Sequence, residues 1–178
     1  MNKWKILLPV LTVCLLGVTL YLLFIWPAPF TDQMRAEIPL TAQDGVRFGS
    51  SARAVAAAYG KPVETEKDTD SGRTHRSYRA DILDSSADIR CGFAAGRLVE
   101  MVIRWELASA EDAQILCKSV EDMIQERCGR ENGFWCEEAE EPNGDRSVKM
   151  GIDYGATGIY YTIKLSDSTL SVTCFDQY

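Results

Sequence analysis

Hydrophobic and polar positions divide the chain sharply near its start. Ile6 to Trp26 is twenty-one residues without a charge. As a helix rising about 1.5 Å per residue it reaches about 31 Å, the hydrocarbon thickness of a bilayer. A helix buried in a soluble core would show polar positions at helical spacing, and this stretch is apolar all round, so it predicts a transmembrane anchor. Lys3 and Lys5 precede it, and Tyr21, Phe24 and Trp26 crowd its far end. Basic residues stay on the cytoplasmic side and amphipathic rings favour the membrane boundary, so residues 1–5 are expected in the cytoplasm and everything after Trp26 outside it. A cleavable leader would carry a shorter apolar region and small residues before the cut, unlike Trp26-Pro27-Ala28-Pro29. A lipoprotein reading would need a small residue before Cys14, where Val13 stands. Pro27, Pro29 and Pro39 cannot continue a helix, so residues 27–44 read as a tether.

Beyond the tether the pattern shortens. Residues 45–63 read as a strand-like lead, a cap at Ser50 or Ser51, a short Ala-rich helix through Tyr59 with Val55, Ala58 and Tyr59 on its apolar face, a stop at Gly60 and Pro62. Glu64 to Thr74 is polar and turn-rich and is expected to be an exposed loop. Period-two alternation then marks strands at Thr74–Ile82, Asp88–Ala94 and Leu98–Trp105, the last two joined as a hairpin through Ala95-Gly96-Arg97. Ser109, with Asp112 three residues on, caps a longer helix whose apolar face carries Ala113, Leu116, Cys117, Val120, Ile124 and Cys128 and which ends at Gly129. Strands are predicted again at Phe134–Glu138, Ser147–Tyr154, Gly158–Leu165 and Thr169–Phe175, with turns at Asn143-Gly144 and Ser166-Asp167-Ser168. The expected fold class is α+β: an N-terminal transmembrane helix, then an antiparallel sheet packed with two helices, in a tandem helix-plus-three-strand plan. The outer domain is 45–178, with subdomains about 45–106 and 107–178.

Phe48-Gly49-Ser50-Ser51, Ala54-Val55 and Tyr59-Gly60-Lys61-Pro62, followed by Tyr78 and by Phe93 with Gly96-Arg97-Leu98-Val99, resemble the SmpA/OmlA (BamE-like) modules over roughly residues 45–106. In that pattern a Gly-rich start, a short helix and a G-x-P stop lead into an antiparallel sheet. The resemblance implies a cell-envelope protein that works by protein contact rather than catalysis, and it transfers no site residue.

The formal net charge is −7, and more negative without Lys3 and Lys5, which disfavours nucleic acid and anionic headgroups as partners. Five cysteines follow the anchor: Cys91, Cys117, Cys128, Cys136 and Cys174. An extracytoplasmic setting permits disulfides. Cys117 and Cys128 share one helix about 16 Å apart along it, so they cannot bond each other. Cys128 with Cys136, across the turn at Gly129–Gly133, is the first candidate, and Cys117 with Cys91 or Cys174 would staple helix to sheet; the other reading is free, buried thiols. No C-x-x-C occurs, so neither thiol exchange nor a zinc ribbon is indicated.

His75, the only histidine, has no neighbouring nucleophile or ligand motif and reads as a polar residue at a strand start. Asp68-Thr69-Asp70-Ser71-Gly72 begins like a calcium loop but places its Gly one position early and lacks the closing Glu. Glu137 to Asp145 gathers carboxylates that could hold a cation or do acid-base work, although a charged hairpin tip accounts for them as well. Trp105, Trp135, Tyr154, Tyr160, Tyr161 and Tyr178 supply aromatic surface. Tyr160 and Tyr161 must point to opposite sides of a strand, so Tyr160, Tyr161 and Trp135 are the candidates for a binding face.

These readings converge on a single-pass cell-membrane protein with an extracytoplasmic domain, attached through its N-terminal helix. Its expected role is non-catalytic binding of a protein or peptide of the cell envelope, with no cofactor, no metal and no nucleic acid. The alternative is an anchored small-ligand or cation receptor, or an enzyme, using Glu137–Asp145.

Overall fold

The computed structural model describes residues 38–131, 133–140, 145–153 and 158–177. The predicted span Ile6–Trp26 lies outside them, as do Tyr154 and Tyr178. Among the described residues no helix is long and apolar enough to cross a membrane.

Pro39–Asp44 forms a 3-10 helix, and α1 follows at Ala52–Tyr59. Ser51 caps α1, its hydroxyl accepting from the Ala54 N–H at 3.2 Å, and Gly60 closes it at φ 84°, a conformation that costs glycine little. Four strands come next: β1 (Glu64–Lys67), β2 (Thr74–Ile82), β3 (Ser85–Ala94) and β4 (Arg97–Glu106). Then α2 (Ala110–Cys128) is capped by Ser109, whose hydroxyl accepts from the Asp112 N–H at 3.1 Å and donates to the Asp112 carboxylate at 2.7 Å. Four more strands complete the domain: β5 (Phe134–Glu140), β6 (Arg146–Asp153), β7 (Gly158–Ser166) and β8 (Thr169–Gln177).

All eight strands join in one sheet, in the order β1-β2-β3-β4-β8-β7-β6-β5. This corrects the expected fold class. The first helix is followed by four strands rather than three, and in place of a transmembrane helix with a tandem helix-plus-three-strand plan the described residues form a single eight-stranded antiparallel sheet with two helices, neither long and apolar enough to span a membrane. Two antiparallel meanders meet where β4 pairs with β8, with Met101 opposite Cys174 and Ile103 opposite Val172. The strand missed in the first half is β1, read from sequence as loop. All four of its residues are exposed, so it has no buried side to leave an alternating signature. It pairs only with β2 and ends the sheet.

Both helices cover the same face of the sheet. Tyr59 of α1 lies against Tyr78 of β2, and Cys128 of α2 reaches Tyr161 of β7. Beneath them Trp105, Tyr78, Tyr161, Met101, Ile103, Leu170 and Ile124 are essentially excluded from water. Each such side chain contributes about 1.5–3 kcal/mol by burial. Trp105 satisfies its indole N–H on the Ile82 carbonyl at 3.2 Å. The β3–β4 ladder slips at Gly92/Phe93, leaving Val99 without a cross-strand partner and keeping Phe93 and Leu98 together on the core side.

A carboxylate of α2 enters the core. Glu121 on α2 is 6% exposed, between Val120 and Ile124 in the buried stripe. Arg146 at the start of β6 meets it with two hydrogen bonds, 2.6 and 3.2 Å, and also binds Glu138 on β5. The fork of the guanidinium matches the carboxylate, which makes the burial tolerable.

Candidate functional site

Alternation sends every second side chain of each strand to the face that neither described helix covers. On β7 this separates the two adjacent tyrosines. Tyr161 is 1% exposed among the core residues, whereas Tyr160 turns to the opposite, open face. There it joins Phe175 of β8, its cross-strand partner, with ring centroids 5.0 Å apart and nearly parallel planes. On its other side lies Trp135 of β5, at 6.2 Å and tilted by 50°. Tyr160 and Trp135 sit two strands apart, with only Gly151 of β6 between them in the register.

That glycine is what lets the row lie flat. A Cβ on Gly151 would come within 2.8 Å of the Trp135 ring, and one on Gly158 within 2.6 Å of the Tyr160 hydroxyl. Two strand positions without side chains thus give two rings a bed on the backbone, a packing that offsets the loss a glycine brings to a strand. The product is a continuous surface of three half-buried rings reaching the edge strand β5. Of the expected binding-face aromatics, Trp135 and Tyr160 are brought together and Tyr161 is not. Phe175, which sequence reasoning placed only at a strand end, completes the row. Gly151, inside a predicted strand, and Gly158, at the start of the next, were the available sign.

The other half of the open face is polar. A hollow of about 470 Å³ over β2, β3 and β4 is lined by Arg79, Arg90, Arg104, Asp88 and Val102 and flanked by Val63, which is 78% exposed. Arg79 binds Asp88 at 2.8 Å, Arg90 binds Glu66 at 2.9 Å and Arg104 meets Glu106 at 3.4 Å. Solvent-exposed pairs of this kind contribute about 0–1 kcal/mol each and leave the guanidinium groups exchangeable. His75 lies on this face too, beside Gly92 and Glu100.

All five described cysteines are free thiols, which corrects the disulfide candidates. Cys128 points inward to the Tyr161 hydroxyl, at 4.0 Å, while Cys136 is exposed on β5; the short loop between them says nothing of where each thiol aims. Cys117 donates to Glu121 at 3.3 Å instead of bonding Cys91 or Cys174. Cys91 and Cys174 flank β4 on opposite sides, with Met101 between them, a separation of about 9.6 Å that no disulfide spans. Burial pushes the Cys91 thiol up to about 12, and burial together with the Glu121 contact does the same for Cys117. Cys174, Cys128 and Cys136 are raised as well, chiefly by desolvation. Such thiols stay protonated at neutral pH and are poor nucleophiles.

The acidic segment is divided. Glu137, Glu138 and Glu140 are exposed on β5, Glu138 being taken up by Arg146, and residues 141–144 lie outside the described residues. Among the described residues no three His, Cys, Asp or Glu side chains are gathered as a metal would need. Asp68 closes its own turn, accepting from the Asp70 N–H at 3.0 Å and from the Ser71 hydroxyl, contacts that hold its carboxyl below the usual range.

No family model, no curated protein and no solved structure matches this chain.

Proposed function

We propose that this chain is a non-catalytic binding module of the cell envelope, attached to the membrane by the apolar stretch 6–26, which captures an extended segment of another protein on the open face of its sheet. The observation that carries the reading is the flat row Phe175–Tyr160–Trp135, which runs to the edge strand β5. Rigid aromatic rings on an uncovered sheet give large contact area at small entropic cost. An extended segment added beside β5 would meet unpaired backbone groups and alternate its side chains onto the rings. Glu137, Glu138 and Glu140 along that edge favour a segment carrying Lys or Arg among apolar residues. The resemblance of residues 45–106 to SmpA/OmlA modules and the basic residues Lys3 and Lys5 before the apolar stretch support the same placement outside the cytoplasm. The cation-receptor or enzyme alternative rests on Glu137–Asp145, of which Glu138 is already held by Arg146.

Selection of displayed peptides on the full-length protein in detergent tests this. Enrichment of basic-apolar extended sequences, lost in Tyr160→Ser, is expected. Enrichment that survives Tyr160→Ser, or none, contradicts it.

A further inference from the structure

Strands β2, β3 and β4 set two registered rows of side chains on the open face: Ser77, Arg90 and Val102 in one, Arg79, Asp88 and Arg104 in the next. Long stems alternate with short side chains in both rows. Arg79 and Arg104 stand two strand spacings apart across Asp88, about 9.6 Å, and Arg90 rises between Ser77 and Val102. The dip they enclose is the hollow of about 470 Å³, a volume in the range of small-ligand sites.

Its charges are uneven. The lining holds three arginines against one carboxylate, in a chain whose formal net charge is −7. That carboxylate, Asp88, is engaged by Arg79, whose Nε and Nη2 both donate to Oδ1 at 2.8 Å. Arg90 and Arg104 find their partners outside the lining, on Glu66 of β1 and on Glu106 at the end of β4. All four of these side chains are more than half exposed, and such pairs contribute about 0–1 kcal/mol, so an incoming anion can replace either glutamate with little loss. A guanidinium fork matches a carboxylate in particular. The hollow also offers carbon. Val102 lies between the arginines, and Val63, 78% exposed and held beside Ser77 by its N–H on the Ser77 carbonyl, stands at the rim. A bare ion would leave most of that volume and both valines in water, whereas an anion carried on a short apolar body covers them.

We propose that this hollow binds a carboxylate carried on a short apolar body, the chemistry shared by a peptide C-terminus ending in an aliphatic residue and a free aliphatic acid, with Arg90 and Arg104 as donors to the carboxylate and Val63 and Val102 against the body. None of the three rings lines it, so it goes beyond the capture proposed at β5 and is read out by different residues.

Calorimetric titration of the full-length protein in detergent, with the heats of detergent alone subtracted, tests it. N-acetyl-leucine and hexanoate both carry a carboxylate on an aliphatic body; acetate lacks the body, and N-acetyl-leucinamide lacks the charge. Saturable binding of N-acetyl-leucine or hexanoate is expected, with acetate and the amide weaker by about tenfold or more. Arg90→Gln combined with Arg104→Gln should weaken it by about tenfold or more, and Val102→Asp, which sets a like charge in the hollow, should abolish it. Both arginines are exposed, so the double variant should keep its melting temperature, which separates lost binding from lost folding. Binding of N-acetyl-leucine alone assigns a peptide C-terminus, hexanoate alone a free acid, and equal binding a site that reads only carboxylate and carbon chain. No saturable response to either, equal affinity for acetate or for the amide, or affinity unchanged in the double variant and in Val102→Asp overturns the site.

Discussion

At the scale of single residues the open face depends on two positions that have no side chain. Placing a methyl group on Gly151 drives it into the Trp135 ring, and the ring must lift off the sheet. Gly151→Ala is therefore expected to cost about 1–3 kcal/mol in urea unfolding, with a red shift of tryptophan emission as Trp135 enters water. Unchanged stability and emission would show that the ring does not rest there. The alternation of Tyr160 and Tyr161 is legible in the sequence, but which of them faces out is not, because that depends on the side the helices choose. The place of Phe175 beside Tyr160 is equally hidden, since it follows from the β7–β8 register rather than from spacing along one strand.

The thiols make a second residue-scale prediction. In the unfolded chain Cys91 and Cys117 ionise near their ordinary 9.0, and in the folded chain only near about 12. Between these values the native state holds protons that the unfolded state has lost, so the derivative of unfolding free energy with pH is negative there. Stability should be insensitive to these groups below pH 9 and fall from pH 9 towards pH 12, with a shallower fall in Cys91→Ala, as followed by urea midpoints. A rise over that range would contradict the buried, protonated thiols.

At the scale of elements, α2 shows how far periodicity reaches and where it stops. The stripe Ala113, Cys117, Val120, Ile124 and Cys128 is readable at helical spacing, and so are the cap at Ser109 and the stop at Gly129. Glu121 is not, because a carboxylate next to that stripe looks like the start of the solvated side. Its burial becomes intelligible only with Arg146, twenty-five residues on and on another element. Removing the arginine strands the carboxylate. Arg146→Ala is expected to destabilise by about 3–5 kcal/mol, whereas a double replacement of both partners by apolar residues should recover much of the loss. Equilibrium urea denaturation of the three variants decides this, and a small effect of Arg146→Ala alone would deny the pair its structural role.

At the scale of the whole molecule, the order of the strands is the part sequence conceals most. Hairpins join neighbours along the chain and announce themselves by short turns such as Ala95-Gly96, where both residues take positive φ. The β4–β8 pairing has no such turn, as α2 and the whole second meander intervene, and both strands carry the same inward apolar pattern that any central strand would. Yet that single pairing makes one sheet of two halves. It also extends the open face without a break from the arginine-lined hollow to the three rings at β5.

The central claim is that this face is where another protein is held. Full-length protein carrying a photo-activated amino acid at Thr162, beside Tyr160 on the open face, should crosslink in intact cells to a defined protein partner. The yield should collapse when Trp135→Ala and Tyr160→Ser are added, and the same probe at Met123 on α2 should not reach that partner. Crosslinking of the partner from Met123 but not from Thr162, or a Thr162 yield indifferent to the loss of both rings, would contradict the account.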